Sequence, residues 1–389
     1  MPLKVIKHMD TSFYNPVSLS MLPAGTWFEH LQECITDSKS ILFMYSKSAL
    51  QASDPDEKIL PSILNNPNVL PLTNILSNPS IEQLAEIRQT LPSLPKTIIA
   101  LGGGSVIDMA KILIALGSFQ STASAESILQ IIDQKLYLHQ KNNADFKLIA
   151  IPTTAGTGSE LTRWATIWDM INKQKYSVER DDLYPSEAWI DPALTVGLSP
   201  LLTVSTGLDA LSHAVEAYWS TKTNPIVRRL SAQAITQIVH SLKKAIDSPK
   251  DLEAREGMCL GSVFAGLAFS QTRTTACHAL SYPLTARFGI PHGIAVVMSL
   301  IPIMRLNWES IQEKELFLTA FSVDSLEEID ILITSLVNST VCMKLRDYGI
   351  SKKEVQELML ISDFPVARMG NNPIPITRDI IYDIYLNSI

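Results

Sequence analysis

Four short apolar runs, residues 40–45 (S-I-L-F-M-Y), 68–72, 97–101 (T-I-I-A-L) and 147–151 (K-L-I-A-I), recur between amphipathic stretches in the first half of the chain. Runs of this length suit strands covered on both faces, and strands separated by helix-length segments pair in parallel. The spacing predicts helices between them, such as residues 80–89, where S-I-E-Q puts serine at the cap and an acid in the first turn. Residues 121–145 are less regular and read as a surface helix with loops. From residue 13 to about residue 193 the expectation is therefore a parallel α/β layer.

The texture changes around Asp191 and Pro192, where D-P-A-L-T-V-G-L-S-P reads as a hinge. Strand-like alternation then largely disappears, and residues 206–219, 225–247, 252–270, 276–288, 294–308 and 325–336 read as helices, with a capped helix closing the chain. A chain of 389 residues can hold two domains with cores of their own. Its formal charge of −7 argues against a nucleic acid or an anionic membrane as partner. The first ten residues lack an apolar core of signal-peptide length, and the longest apolar run, near residues 293–304, is too short to span a bilayer. A cytoplasmic protein is expected. Cys34, Cys259, Cys277 and Cys342 form no C-x-x-C pair, so neither a disulfide framework nor a zinc knuckle is indicated, and Cys277 reads as a packing residue.

Three segments carry chemistry. Asp209 and His213 stand four apart in G-L-D-A-L-S-H-A-V-E-A, so on a helix both project from one face, one turn apart. His278 (T-T-A-C-H-A-L-S-Y-P-L) and His292 (G-I-P-H-G) sit among small or apolar residues that do not explain a histidine. One carboxylate and three imidazoles suit Fe(II), Zn(II) or Ni(II) alike. After the third apolar run comes G-G-G-S-V-I-D-M-A-K, residues 102–111, where a buried strand turns into a helix starting near Ser105. Glycines there let the backbone approach a phosphate and take positive φ, and a helix start offers N–H groups to an anion. The fourth run leads into I-P-T-T-A-G-T-G-S-E, residues 151–160, a hydroxyl-rich turn. Both loops follow strands, so they are placed to share one nucleotide.

The G-G-G-S-x-x-D-x-A-K turn resembles the pyrophosphate loop of the iron-containing alcohol dehydrogenase and dehydroquinate synthase-like superfamily, and D-A-x-x-H followed by two further histidines resembles the alcohol dehydrogenases' ligand pattern. The resemblance runs from F-Y-N-P near the start to the last helix. It implies an α/β dinucleotide-binding domain over residues 1–194 and a helical, metal-binding catalytic domain over residues 195–389. It also implies Asp209, His213, His278 and His292 as ligands to iron, and NAD(P)H held by Gly102, Gly103, Gly104, Ser105, Asp108, Thr153, Thr154, Thr157 and Ser159, with Asn78 and Lys175 nearby. The implied reaction interconverts a primary alcohol and its aldehyde. Family members are often dimers or larger, and an N-terminal edge strand would offer a homodimer a pairing surface. A dehydroquinate synthase-like lyase, a metal-dependent hydrolase and a non-enzymatic binding protein are the competing readings.

Departures from the family pattern sharpen the expectation. Tyr282 stands where a proton-moving histidine is common, and a phenol is a poorer base than imidazole. Ser46 and Lys47 stand where an acid would hold the ribose of NAD and repel a 2′-phosphate, so NADPH should be accepted as well as NADH. Before His278, Gln271, Thr272, Arg273, Thr274 and Thr275 replace a small, apolar stretch, and Arg163 follows the second loop. If Arg273 and Arg163 face the substrate, they suit an anion; the alternative is that both pair with acids such as Glu160 or Asp169. T-R-T-T-x-x-H-A-L-S-Y-P-L also resembles the phosphonoacetaldehyde reductase branch, which implies a short aldehyde carrying a phosphonate.

Overall fold

The computed structural model describes residues 12–38, 40–53, 59–91, 93–117, 124–139, 146–337, 340–362 and 364–389. Six parallel strands form one sheet: β1 (Ser18–Met21), β2 (Ile41–Tyr45), β3 (Val69–Leu72), β4 (Thr97–Gly102), β5 (Lys147–Pro152) and β8 (Glu187–Ile190), in the order β1-β8-β5-β4-β2-β3. β6 (Trp164–Asp169) and β7 (Gln174–Glu179) make a separate antiparallel hairpin. The four apolar runs became β2 to β5. The other four strands carry no such run, being short, edge-placed or amphipathic, and were not legible.

Side chains alternate across the sheet. Leu42, Met44, Ile98 and Ala100 enter the core beneath helices Ile81–Thr90 and Gly104–Ala115, while Ile41, Phe43, Ile99 and Leu101 face helix Trp27–Asp37. Both faces are covered, which is why β2 has no polar position. Ser80 caps its helix by accepting from the Gln83 N–H, as its position before I-E-Q predicts. Within residues 121–145, the described part is helix Ala125–Asp133 and the 3-10 turn Leu136–His139.

Beyond β8 no strand occurs among the described residues. The segment expected to be a hinge is firmly tied: the buried Asp191 carboxylate accepts from the N–H groups of Gly25, Trp27 and Ala193, fastening the end of β8 to the start of the first helix. The central helix of the second half, Pro200–Trp219, starts six residues before the position read from sequence. Ser199 caps it and Pro200 takes its first turn, where a missing N–H costs nothing. Residues 294–308 hold two helices instead of one, His292–Val297 and Leu300–Asn307. No helix among the described residues is long and apolar enough to cross a membrane.

Candidate active site

The chain passes from β2 outward to β3 and then back across β2 to β4, so a crevice opens between the carboxyl ends of β2 and β4. Ser46 and Gly103 follow those two strands and line a cleft of about 860 Å³ between the sheet and the helical half. Gly103, Gly104 and Ser105 form one wall and Thr153, Thr154, Thr157 and Ser159 the facing one. The loops touch: a Cβ on Gly104 would stand 2.6 Å from Thr157 Oγ1. That close approach, not a left-handed backbone, is what requires glycine. None of Gly102, Gly103 and Gly104 has positive φ, contrary to expectation. Gly102 does not line the cleft, because its bare Cα makes room for Val106.

Ser105 Oγ donates to the Ser77 carbonyl and holds the Asn78 segment against the glycine turn. Asp108 accepts from the Thr166 N–H at 2.8 Å and lies beside Ser159 on the cleft wall, where burial pushes its carboxyl up. The motif's lysine turns inward. Lys111 is fully buried and donates to the carbonyls of Ser159, Thr162 (2.7 Å) and Trp164 (3.0 Å), stapling the glycine-loop helix to the hydroxyl loop. Burial pushes its ammonium down to about 8. Lys47 is a correction: it opens helix Lys47–Ser53, is exposed and does not line the cleft, because the helix turns it to solvent.

At the far end of the cleft, Asp209, His278 and His292 bring ligand atoms within 4.8 Å of one another. His278 Nε2 stands 3.3 Å and His292 Nε2 3.8 Å from Asp209 Oδ1. His213 Nε2 is 3.9 Å from the same oxygen but lies outside that trio. Its ring is clamped between Phe269, at 4.1 Å, and His278, at 4.5 Å, both nearly parallel. Gly293 admits the His292 helix against Pro200–Trp219, since any Cβ would enter the Ser205 carbonyl. Burial pushes His213 down to about 4 and His292 well below the usual imidazole range, so both are neutral and offer lone pairs. Burial opposes ionisation of Asp209, yet the surrounding imidazoles, His213 first, hold its carboxyl below the ordinary range.

Sequence reasoning missed Glu216, a completely buried carboxylate seven residues after Asp209 on the same helix face. It accepts from Thr275 Oγ1 and the Cys277 N–H, each at 2.7 Å, and from His278 Nδ1. Against the pull of burial, Glu216 raises the His278 pKa, and with the Nδ1 proton held there a neutral His278 would turn its Nε2 lone pair to the ligand cluster. Cys277 is buried packing as expected, its thiol pushed up by burial and then by Glu216.

Tyr282 lies parallel to His292, ring centres 5.9 Å apart, with its hydroxyl buried beside Thr274 and making no well-formed hydrogen bond among the described residues. Burial raises its pKa, so it stays a phenol through the neutral range. Lys175 Nζ stands 3.9 Å over the Tyr282 ring and Arg368 Cζ 5.3 Å over it. Among the described residues neither cation forms an ion pair. Arg273 and Arg163 require the second correction. Both guanidiniums bind Glu179 on β7, Arg163 at 3.1 Å with a further bond to Asp181 at 2.9 Å, and Arg273 also covers the Trp164 ring. They pair with acids as the alternative foresaw, though not with Glu160 or Asp169, and neither lines the cleft. The reason is backbone geometry: Arg273 ends helix Leu252–Thr272 at φ 62°, which swings its side chain toward the hairpin.

The profile of the iron-containing alcohol dehydrogenases matches residues 24–192, and that of the Fe-containing alcohol dehydrogenase family's C-terminal region matches residues 203–389. The NADPH-dependent butanol dehydrogenase of Clostridium saccharobutylicum is 33% identical over 302 residues, 75% of this chain and 76% of its own. The chain belongs to the iron-containing alcohol dehydrogenase family. The probable alcohol dehydrogenase EutG of Escherichia coli (strain K12) is 40% identical over 211 residues, 54% of this chain; that match spans about half, 51%, of EutG. Among solved structures, sulfoacetaldehyde reductase from Bifidobacterium kashiwanohense in complex with NAD+ superposes with a TM-score of 0.81 and 28% identity, covering 97% of this chain and 98% of that one. Membership agrees with the motifs at residues 102–111 and 209–213. Arg368 had no such signal, because V-A-R-M-G-N-N-P reaches the site only through tertiary contacts.

Proposed function

We propose that this protein is a metal-dependent, NAD(P)H-linked oxidoreductase that interconverts a short anionic aldehyde, such as phosphonoacetaldehyde, and its primary alcohol. The donor set fits a divalent ion: one ionised carboxylate, neutral imidazoles at His213 and His292, and a His278 whose Nε2 is aimed by Glu216. Asp209, His213, His278 and His292 would hold it, with iron as the metal the family implies. Bound in this cleft, such an ion supplies Lewis-acid polarisation of a carbonyl and a nicotinamide supplies hydride. The glycine and hydroxyl loops would hold the phosphates of such a cofactor near a helix N-terminus, with Asp108 on the same wall. His213, packed between two rings, keeps the metal end rigid and shields it from water.

The observation that carries the anionic substrate is the charge of the cleft. Among the described residues its only acidic lining residues are Asp108 and Asp209, while Lys175 and Arg368 are cations without a carboxylate ion pair beside the ligand cluster. Two cations held this close attract an anion, and burial with the Arg368 charge already pushes Lys175 down to about 7. The likeness to sulfoacetaldehyde reductase points the same way. The test follows reduced-nicotinamide absorbance with metal-loaded, chelated and reloaded protein, supplied with phosphonoacetaldehyde, sulfoacetaldehyde or butanal. Metal-dependent oxidation of NADPH or NADH, faster with the anionic aldehydes, is expected. Undiminished turnover after chelation, or better turnover of butanal, overturns the reading.

A further inference from the structure

The geometry points to a dedicated subsite for the substrate's anionic tail, built from Arg368, Thr274 and the Tyr282 hydroxyl, which makes Tyr282 a tail-binding donor and not the proton relay. The inference rests on the anionic-aldehyde reading above and assigns the residues that would enforce it.

Arg368 sits in the short helix Val366–Met369, far from the other site residues in sequence, and two contacts deliver it. Its Nη1 donates to Thr274 Oγ1 at 2.7 Å, and Asn371 Nδ2 donates to the Thr274 carbonyl at 3.1 Å. Asn371's own carbonyl accepts from the Thr221 N–H, so the segment is anchored at both ends. Only one guanidinium nitrogen has a hydrogen bond among those described, and the remaining N–H groups form the fork that suits a tetrahedral oxyanion.

A second, independent observation marks the place as a ligand site. Tyr282 is 8% exposed and lines the cleft, yet its hydroxyl, beside Thr274, makes no well-formed hydrogen bond among the described residues. A buried hydroxyl left without a well-formed bond costs roughly 1–3 kcal/mol, a cost that an oxyanion bound between Arg368 and Tyr282 would relieve. Arg368 and Lys175 both lie against the Tyr282 ring, which places an acceptor for that hydroxyl next to positive charge. The ring is parallel to His292, so a tail bound here lies beside the ligand cluster and its carbon chain must be short. A sulfonate or phosphonate separated from the carbonyl by one methylene meets that requirement. A proton relay, by contrast, needs a chain of partners leading away from the reacting oxygen, and the Tyr282 hydroxyl reaches only Thr274, whose hydroxyl already accepts from Arg368.

The test uses the metal-loaded enzyme and compares KM and kcat for sulfoacetaldehyde, phosphonoacetaldehyde and butanal in Arg368→Ala, Arg368→Lys and Tyr282→Phe, with methylphosphonate as an unreactive competitor. Loss of a charged hydrogen-bond donor is worth roughly tenfold to a hundredfold. Arg368→Ala should raise KM for both anionic aldehydes by that factor beyond any change for butanal, and weaken methylphosphonate inhibition in parallel. Arg368→Lys, which keeps the charge and loses the fork, should fall between; it also answers the question if Arg368→Ala fails to fold, as read by thermal unfolding. Tyr282→Phe should act through KM on the anionic substrates. An unmodified enzyme without preference for anionic aldehydes overturns both the functional reading and the subsite. A preference that survives Arg368→Ala and Arg368→Lys overturns the subsite alone. A fall in kcat of Tyr282→Phe that is equal for all three substrates restores the relay and overturns the role given to Tyr282.

Discussion

Glu216→Gln is the substitution that most directly probes how the ligand cluster is held. The carboxylate is completely buried and every contact it makes is with a donor: Thr275 Oγ1, the Cys277 N–H and His278 Nδ1. A glutamine of the same shape can keep the Thr275 and Cys277 bonds with its single carbonyl oxygen. Its amide then faces His278 Nδ1, and the imidazole must move its proton to Nε2 to accept from it. The Nε2 lone pair is lost to the metal. Outer partners of ligand histidines are worth about tenfold to a hundredfold in metal affinity, or about 1.4–2.7 kcal/mol. Metal-free Glu216→Gln should also be less stable by about 1–3 kcal/mol, through the loss of one charge-assisted hydrogen bond. Competition with a chromophoric chelator measures the first effect and denaturant unfolding of the metal-free proteins the second. A variant that folds and binds Fe(II) or Zn(II) within about twofold of the unmodified protein would refute the reasoning.

Arg273→Ala should lower stability by about 1 kcal/mol through the lost Glu179 pair and shift KM for anionic and neutral aldehydes alike; a KM effect confined to anionic aldehydes would return Arg273 to the substrate site. Arg273→Gly should be more stable than Arg273→Ala by about 1 kcal/mol in denaturant unfolding, because φ 62° with an extended ψ is glycine's territory. NADPH should support turnover at least as well as NADH, since among the described residues no carboxylate lines the cleft beside Ser46; a preference for NADH of about a hundredfold contradicts this. The Lys175 ammonium, pushed down to about 7 by burial and Arg368, carries its charge below that pH and loses it above. KM for sulfoacetaldehyde, whose charge does not titrate, should therefore rise as pH rises through about 7, and a flat profile refutes the assignment.

What could be read directly was whatever local chemistry imposes. A strand buried on both faces needs an uninterrupted apolar run, so β2, β4 and β5 stood out; the i, i+4 spacing on a helix determined that Asp209 and His213 share a face; Ser80 announced its own cap. Glu216 was legible in principle, as the third residue on the Asp209 face, but nothing local distinguishes a buried carboxylate from a solvated one. The strand order, and with it the crevice between β2 and β4, depends on pairings between segments far apart in the chain. So does the exchange of arginines. Arg273 adjoins the His278 segment and looked like the substrate's partner, yet the turn of its backbone commits it to Glu179, while Arg368, ninety-odd residues later, is carried to Tyr282 by Thr274 and Asn371. Sequence adjacency places a Cα; where a long, flexible cation ends up is settled by the acids and carbonyls that folding brings within its reach.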